Sequence, residues 1–367
     1  MTEGLVKTRT SASKRGLRLS IVVPILTALF SSLFSYVAPL AAAVAPIPVC
    51  APEISSSGGY TIVKFVDPGE CNWTSPAAAT ELRGLIVGGG GGGGSNFLMG
   101  GGGGGGGYIS FETLTVTNQV FKISVGAGGN GGASTYDGAI AQNGETSSVI
   151  IGTDLSPTLK LAAPGGGSGG SEIKEQYIAY HSPGRNGGSG GGSGGSYPAT
   201  TFGRSQIVTA IIPDTQTATS IGLLQLGNDG APCALAPYGG TGGGGGGAGS
   251  PGGCYVDTEN AAVVAAGHGG DGYPNNILGT EYFWAGGGGG GSFGYQTNIY
   301  GGGNGGLGGG GGGAAFGEQV SPQPRQGSGG AGGLNSPSAA NNGAGGNGGV
   351  NTGGGGGAAT HPQGPGG

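Results

Sequence analysis

Glycine comes in unbroken blocks in this chain: Gly88 to Gly94, then, after Ser95-Asn96-Phe97-Leu98-Met99, Gly100 to Gly107. Shorter or interrupted blocks follow at 165–170, 187–195, 242–247, 286–291, 308–313 and 353–357. Such blocks bring no side chains to a core, and each glycine loses more backbone freedom on ordering than any other residue, by about 0.5–1 kcal/mol relative to alanine. Two outcomes are physically open. The blocks are flexible linkers, or they are polyproline-II-type helices, with three residues per turn and every N–H and C=O directed outward to a partner. Bare glycine helices can approach closely enough to hydrogen-bond one another, with weak Cα–H···O contacts in support. Six to eight residues at about 3.1 Å rise give rods of roughly 19–25 Å. Their similar lengths, and their direct attachment to strand-like residues as in Leu85-Ile86-Val87-Gly88, favour packed helices as far as Gly313.

The strongest strand signals are Tyr60 to Val66, Leu85 to Val87, Tyr108 to Phe111 and Phe121 to Val125, β-branched and aromatic stretches separated by turn residues such as Asp67-Pro68-Gly69. Weaker ones lie at Gln206 to Ile212, Ala261 to Ala266 and Tyr282 to Trp284. Beyond the N-terminal segment no helical apolar period of useful length occurs. This divides the chain into a leader at 1–43, a glycine-rich β domain at 44–170, an extension of glycine blocks and short strands at 171–313, and a low-complexity Gly/Ser/Pro/Asn tail at 314–367. Trp73 is read as a core or edge aromatic of the β unit.

The order of the non-glycine residues carries a resemblance. A strand leads to Cys71-Asn72-Trp73-Thr74-Ser75-Pro76, and the strand ending Leu85-Ile86-Val87 opens a divided glycine block. A strand pair ending Ser124-Val125-Gly126-Ala127-Gly128-Gly129-Asn130-Gly131-Gly132 follows, then Gly144 to Val149 and Leu159 to Gly167. Over Tyr60 to Gly170 this resembles the glycine-rich domain of bacterial secreted surface proteins and phage tail-fibre proteins, and more distantly that of some animal receptor kinases. The resemblance implies a bundle of polyglycine helices on a β scaffold. The chain departs from that pattern at its last block, which is followed by Ala358-Ala359-Thr360-His361-Pro362 rather than an apolar strand.

The first eighteen residues carry Lys7, Arg9, Lys14, Arg15 and Arg18 against Glu3, and an uncharged apolar stretch runs from Leu19 to Ala45. This is the layout of a secretory signal, with Ala41-Ala42-Ala43 placing cleavage before Val44. An uncleaved anchor is the alternative, since the stretch exceeds the roughly 20 residues that span a bilayer. Either way the basic residues keep the N-terminus inside and send the remainder out. Beyond the leader, eight basic and seventeen acidic residues leave a net charge of −9. That balance disfavours nucleic acid and anionic lipid as partners.

The four cysteines Cys50, Cys71, Cys233 and Cys254 form an even set, and in an exported chain this reads as two disulfides. A separation of 21 within each consecutive pair favours Cys50–Cys71 and Cys233–Cys254. Zinc is the competing reading, without a CxxC or a neighbouring histidine to support it.

Catalytic patterns occur here by composition alone. The glycines after Val87 satisfy a dinucleotide-binding pattern but lead to a second glycine block instead of a helix. Gly166-Gly167-Ser168-Gly169-Gly170 satisfies a nucleophile-elbow pattern without its strand-to-helix context. His268 and Asp271 form the one local pair of interest, read as a solvated turn because calcium-binding glycine repeats need tandem copies. Asn72-Trp73-Thr74 is a formal glycosylation sequon. The aromatics Tyr136, Tyr177, Tyr180, Tyr273, Tyr282, Trp284 and Tyr295 sit between glycine blocks, where they either display contacts at low entropic cost or cover the bundle. The sequence thus predicts a mainly β fold with polyglycine II helices, a small antiparallel β unit plus a glycine-helix bundle, and little or no α-helix beyond the leader. It predicts an exported structural or adhesive protein, not an enzyme, with no metal or cofactor, a glycan or surface protein as partner, and self-association as a further property. A disordered envelope spacer is the alternative, and an exported hydrolase a remote one.

Overall fold

The computed structural model describes residues 47–95, 99–132, 140–175, 178–194, 202–206, 209–233, 235–236, 239–254, 263–295, 299–318, 325–341, 343–360 and 366. The leader lies outside the described residues. Strands β1 (Glu53–Ser57) and β2 (Tyr60–Lys64) form a hairpin. Its turn glycines, Gly58 and Gly59, have φ of 57° and 84°, as a two-residue hairpin turn requires. Strands β3 (Gly69–Thr74), β4 (Glu81–Val87), β5 (Tyr108–Thr115), β6 (Val120–Val125), β7 (Ser147–Gly152) and β8 (Pro157–Ala163) follow. Beyond them come the hairpin β9 (Ser171–Glu175) and β10 (Ile178–Ser182), then β11 (Thr209–Ile211) and β12 (Leu224–Leu226). A five-stranded antiparallel sheet has the order β11-β8-β7-β6-β3, and a three-stranded one the order β12-β5-β4. No α-helix occurs among the described residues.

Alternation explains how the sheets meet. On β6, Phe121 and Ile123 are buried while Val120 is exposed; on β8, Leu159 and Leu161 are buried and Thr158 is exposed. These side chains join Ile86, Ile109, Phe111 and Leu114 from the three-stranded sheet in one apolar core. Trp73, on the edge strand β3, packs against Phe121 at 5.5 Å and Phe65 at 5.9 Å between ring centroids, so it is at once an edge and a core aromatic.

Between these strands the glycine blocks are buried and bonded to one another. All eight N–H groups of residues 100–107 donate to carbonyls of other segments at 2.7–3.2 Å. They do so in rotation. Gly100, Gly103 and Gly106 donate to Ala359, Gly356 and Gly353; Gly101, Gly104 and Gly107 to Gly170, Gly167 and Pro164; Gly102 and Gly105 to Gly243 and Gly246. Carbonyls of the same block accept from 88–94, from Ser189 and Gly192, and from Gly288 and Gly291, which makes six neighbouring segments. Residues 286–292 repeat the arrangement: Gly286, Gly289 and Ser292 donate to one neighbour, Gly287 and Gly290 to a second, Gly288 and Gly291 to a third. The period is three, where a strand would show two.

Glycine is obligatory at this spacing. A Cβ on any residue from Gly100 to Gly106 would come closer than 3.0 Å to a backbone atom of a neighbouring segment. Residues 355–360, which belong to the compositional tail, lie buried between the blocks 88–94, 100–107 and 286–291.

Candidate functional site

The hydrogen bonds give the bundle a direction and two ends. Block 88–94 leaves β4 and block 100–107 returns to β5, so Gly94 and Gly100 mark the end remote from the two sheets. Gly129 and Gly132 bond to Gly90 and Gly93, Gly166 and Gly169 to Gly89 and Gly92, and Gly356 and Ala359 to Gly91 and Gly94. Each pairing advances in the same direction, so each of these segments also leaves at the remote end. Ser189 and Gly192 against Gly105 and Gly102, and Gly288 and Gly291 against Gly103 and Gly100, bring residues 193 and 292 there too. The described residues on either side of 96–98, 133–139, 195–201, 255–262, 296–298 and 319–324 therefore stand at this one end.

The candidate contact residues are consequently divided between two places. Tyr136 and Tyr177 lie outside the described residues, in segments whose described neighbours stand at the remote end. Tyr180 and Tyr295 are strand positions on β10 and on Ser292–Tyr295, at the same end. Tyr273, Tyr282 and Trp284 stand at the sheet end, in a hairpin that pairs Tyr273–Asn275 with Tyr282–Trp284. Trp284 is 6% exposed and packs with Tyr108, Ala248 and Ala285, so it covers the bundle and is not displayed. Tyr273 meets Tyr108 edge-on at 5.5 Å, and Asn275 Nδ2 donates to the Tyr108 hydroxyl at 2.8 Å. The buried Trp284 Nε1–H has no acceptor among the described residues.

The disulfides Cys50–Cys71 and Cys233–Cys254 form, with Cα atoms 4.9 and 5.5 Å apart. One ties the entry of the β1–β2 hairpin to β3; the other joins two segments at the remote end.

Polar side chains interspersed in the glycine-rich segments have a role that sequence reading missed. At the perimeter they accept backbone N–H groups in place of a further carbonyl. Asn143 Oδ1 accepts from Ser168 at 2.9 Å, Asn186 Oδ1 from Arg204 at 2.8 Å, and Asn304 Oδ1 from Ser328 at 3.0 Å. His268 and Asp271 do the same: His268 Nδ1 accepts from Asn304 at 2.8 Å and Asp271 Oδ1 from Leu307 at 2.9 Å. The signal in the sequence was the placement of single Asn, Asp and Ser residues within glycine tracts, since short polar side chains readily bond to backbone. No cluster of His, Cys, Asp and Glu able to hold a metal occurs among the described residues.

A cleft of about 790 Å³ opens at the sheet end. Phe65 of the segment after β2, Leu82 and Leu85 of β4, Leu278, Trp284 and Leu334 supply much of its apolar wall.

The family model of a glycine-rich domain matches residues 66–352. The chain belongs to the glycine-rich domain family. The match takes in both sheets, both long glycine blocks and the Tyr273–Trp284 hairpin. No curated protein matches the chain. Within this glycine-rich domain no described helix is long and apolar enough to cross a membrane.

Proposed function

We propose that this glycine-rich domain is an exported structural or adhesive protein, in which polyglycine II helices form a stiff bundle that displays Tyr-bearing loops from its remote end. The observation that carries the reading is the three-residue rotation of N–H donors around block 100–107. A threefold helix without internal hydrogen bonds sends successive N–H groups about 120° apart, and six neighbours satisfy both its donors and its acceptors. Each hydrogen bond contributes about 0.5–1.5 kcal/mol net, which offsets the ordering cost of glycine. A disordered spacer has no need of glycines at which a Cβ is sterically excluded.

Export is supported by the leader pattern and by the two disulfides, which suit an oxidising compartment. The partner class is a glycan or a surface protein, contacted through Tyr136, Tyr177, Tyr180 and Tyr295, and the protein performs no catalysis. The test is binding of the full oxidised chain to glycan arrays and intact cell surfaces, compared with a variant in which these four tyrosines are serine. The reading expects binding that falls at least tenfold in the variant while exchange protection of 100–107 is kept. Equal binding by both proteins would reject loop display.

A further inference from the structure

Two strand edges border the cleft at the sheet end. Gly88 N–H donates to Gly107 C=O at 3.0 Å, and on the other side of β5 Glu112 N–H donates to Ile221 C=O at 2.8 Å. Alternation along an antiparallel pair then places Ile86 and Gly84 on the ladder with Ile109 and Phe111. The N–H and C=O groups of Leu85 and Val87 fall on the opposite edge, where no other strand pairs with β4 among the described residues. Every residue from Leu82 to Gly91 borders the cleft, as an edge does; a sheet face would present alternate residues. The wall across from it is built in the same way. Ser57 and Tyr60 close the two-residue hairpin turn, so Thr61 and Val63 turn their backbone groups away from β1, and residues 61–68 all border the cleft.

The lining selects among occupants. Its side chains are largely apolar, but an acyl chain would bury the edge N–H and C=O groups without partners, at about 1–3 kcal/mol each. An extended peptide pairs them. Lys64 and Arg83 stand on the two walls and Asp67 is the one acid that borders the cleft. Glu53 and Glu112, their salt-bridge partners, do not border it. The bordering charge is therefore net positive in a chain that is otherwise acidic.

We propose that this cleft binds an extended segment of a partner protein, added as a strand beside β4, apolar at alternate positions and carrying an acidic side chain between Lys64 and Arg83. A segment facing Arg83 to Val87 spans about five residues, roughly 17 Å. The site lies at the sheet end, away from the strands that carry Tyr180 and Tyr295, and does not depend on their role.

The test pans a library of random seven-residue peptides on the full oxidised chain, with counter-selection on Leu85→Pro. That substitution removes an N–H facing the cleft and none from the ladder, and edge strands tolerate proline there. Enriched peptides are titrated by following the fluorescence of Trp73 and Trp284, the chain's two tryptophans, which both border the cleft. The expected result is a set of alternating apolar sequences bearing an acid, with Kd raised at least tenfold by Lys64→Glu with Arg83→Glu and by N-methylation of alternate peptide nitrogens. These last two arms need no folded Leu85→Pro protein. The proposal is overturned if no peptide is enriched, if binding survives N-methylation, or if sodium dodecanoate shifts the tryptophan emission while the peptides do not.

Discussion

Gly103→Ala puts one methyl group at the centre of the bundle. Its Cβ would stand 2.7 Å from the Gly91 carbonyl carbon, 2.9 Å from that of Gly92, and closer still to the Gly91 oxygen. All three are backbone atoms, so no side chain can rotate away, and block 88–94 must recede by about 1 Å to restore normal contact. Receding strains three bonds that share these residues: Gly91 to Gly104 at 2.8 Å, Gly103 to Gly356 at 2.9 Å and Gly356 to Gly91 at 2.9 Å. Overpacking costs about 1–3 kcal/mol and each weakened bond up to about 1, while the stiffer unfolded chain returns about 0.4–1. The net destabilisation is up to about 5 kcal/mol, which lowers Tm by up to roughly 15 °C in a chain of this size. Gly128→Ala is the matched control, because the nearest atom to its Cβ is Gly90 O at 3.8 Å. It should be neutral or stabilising by up to about 1 kcal/mol. Thermal and urea unfolding of both oxidised variants measure the contrast. Equal midpoints for the two would refute the close packing of block 100–107.

Replacing Cys233 and Cys254 by alanine should cost about 3 kcal/mol for a loop of this size, read as a lower urea midpoint that reductant lowers further only through Cys50–Cys71. Asn143→Ala removes the acceptor for Ser168 N–H and the donor to Asn186 C=O, for an expected loss of about 1–3 kcal/mol; Asn143→Ser, too short to reach both, should not restore it. The Lys122 ammonium is held above the ordinary lysine value of 10.5, first by its hydrogen bond to Asp154 and then by Glu70, against an opposing effect of burial. A raised folded-state pKa contributes stability that is complete below the unfolded value and lost as pH rises through the folded one. Urea midpoints should therefore fall more steeply above about pH 10.5 for the native chain than for Lys122→Met, by under about 1 kcal/mol because both carboxylates are well exposed.

The sheets were legible because their residues alternate or branch at Cβ: Tyr60 to Lys64, Phe121 to Val125 and the short Tyr282–Trp284 all form strands. The cysteine pairing was legible from a repeated spacing. Strands at Ser147–Gly152 and Ser171–Glu175 were less visible, since serine and charged residues weaken the pattern, although each pairs with the strand that follows it in the chain. The order of the bundle was not legible at all. Identical glycines carry no address, so nothing in the sequence told that Gly356 bonds Gly91 and Gly103, or that the last block returns to the centre. The address is held by the strands and by the perimeter acceptors Asn143, Asn186, Asp271 and Asn304. The cleft was equally hidden, because an unpaired edge depends on which strand is missing beside β4.

Backbone amide hydrogen exchange on the oxidised chain, resolved to 88–94, 100–107 and 286–291, tests the central claim most directly. Rigid glycine helices predict slow exchange in all three blocks, with every N–H of 100–107 protected to a similar degree because each has its own acceptor. Exchange at random-coil rates in these blocks, beside protected strands β5 and β6, would contradict the account and leave the glycines as linkers.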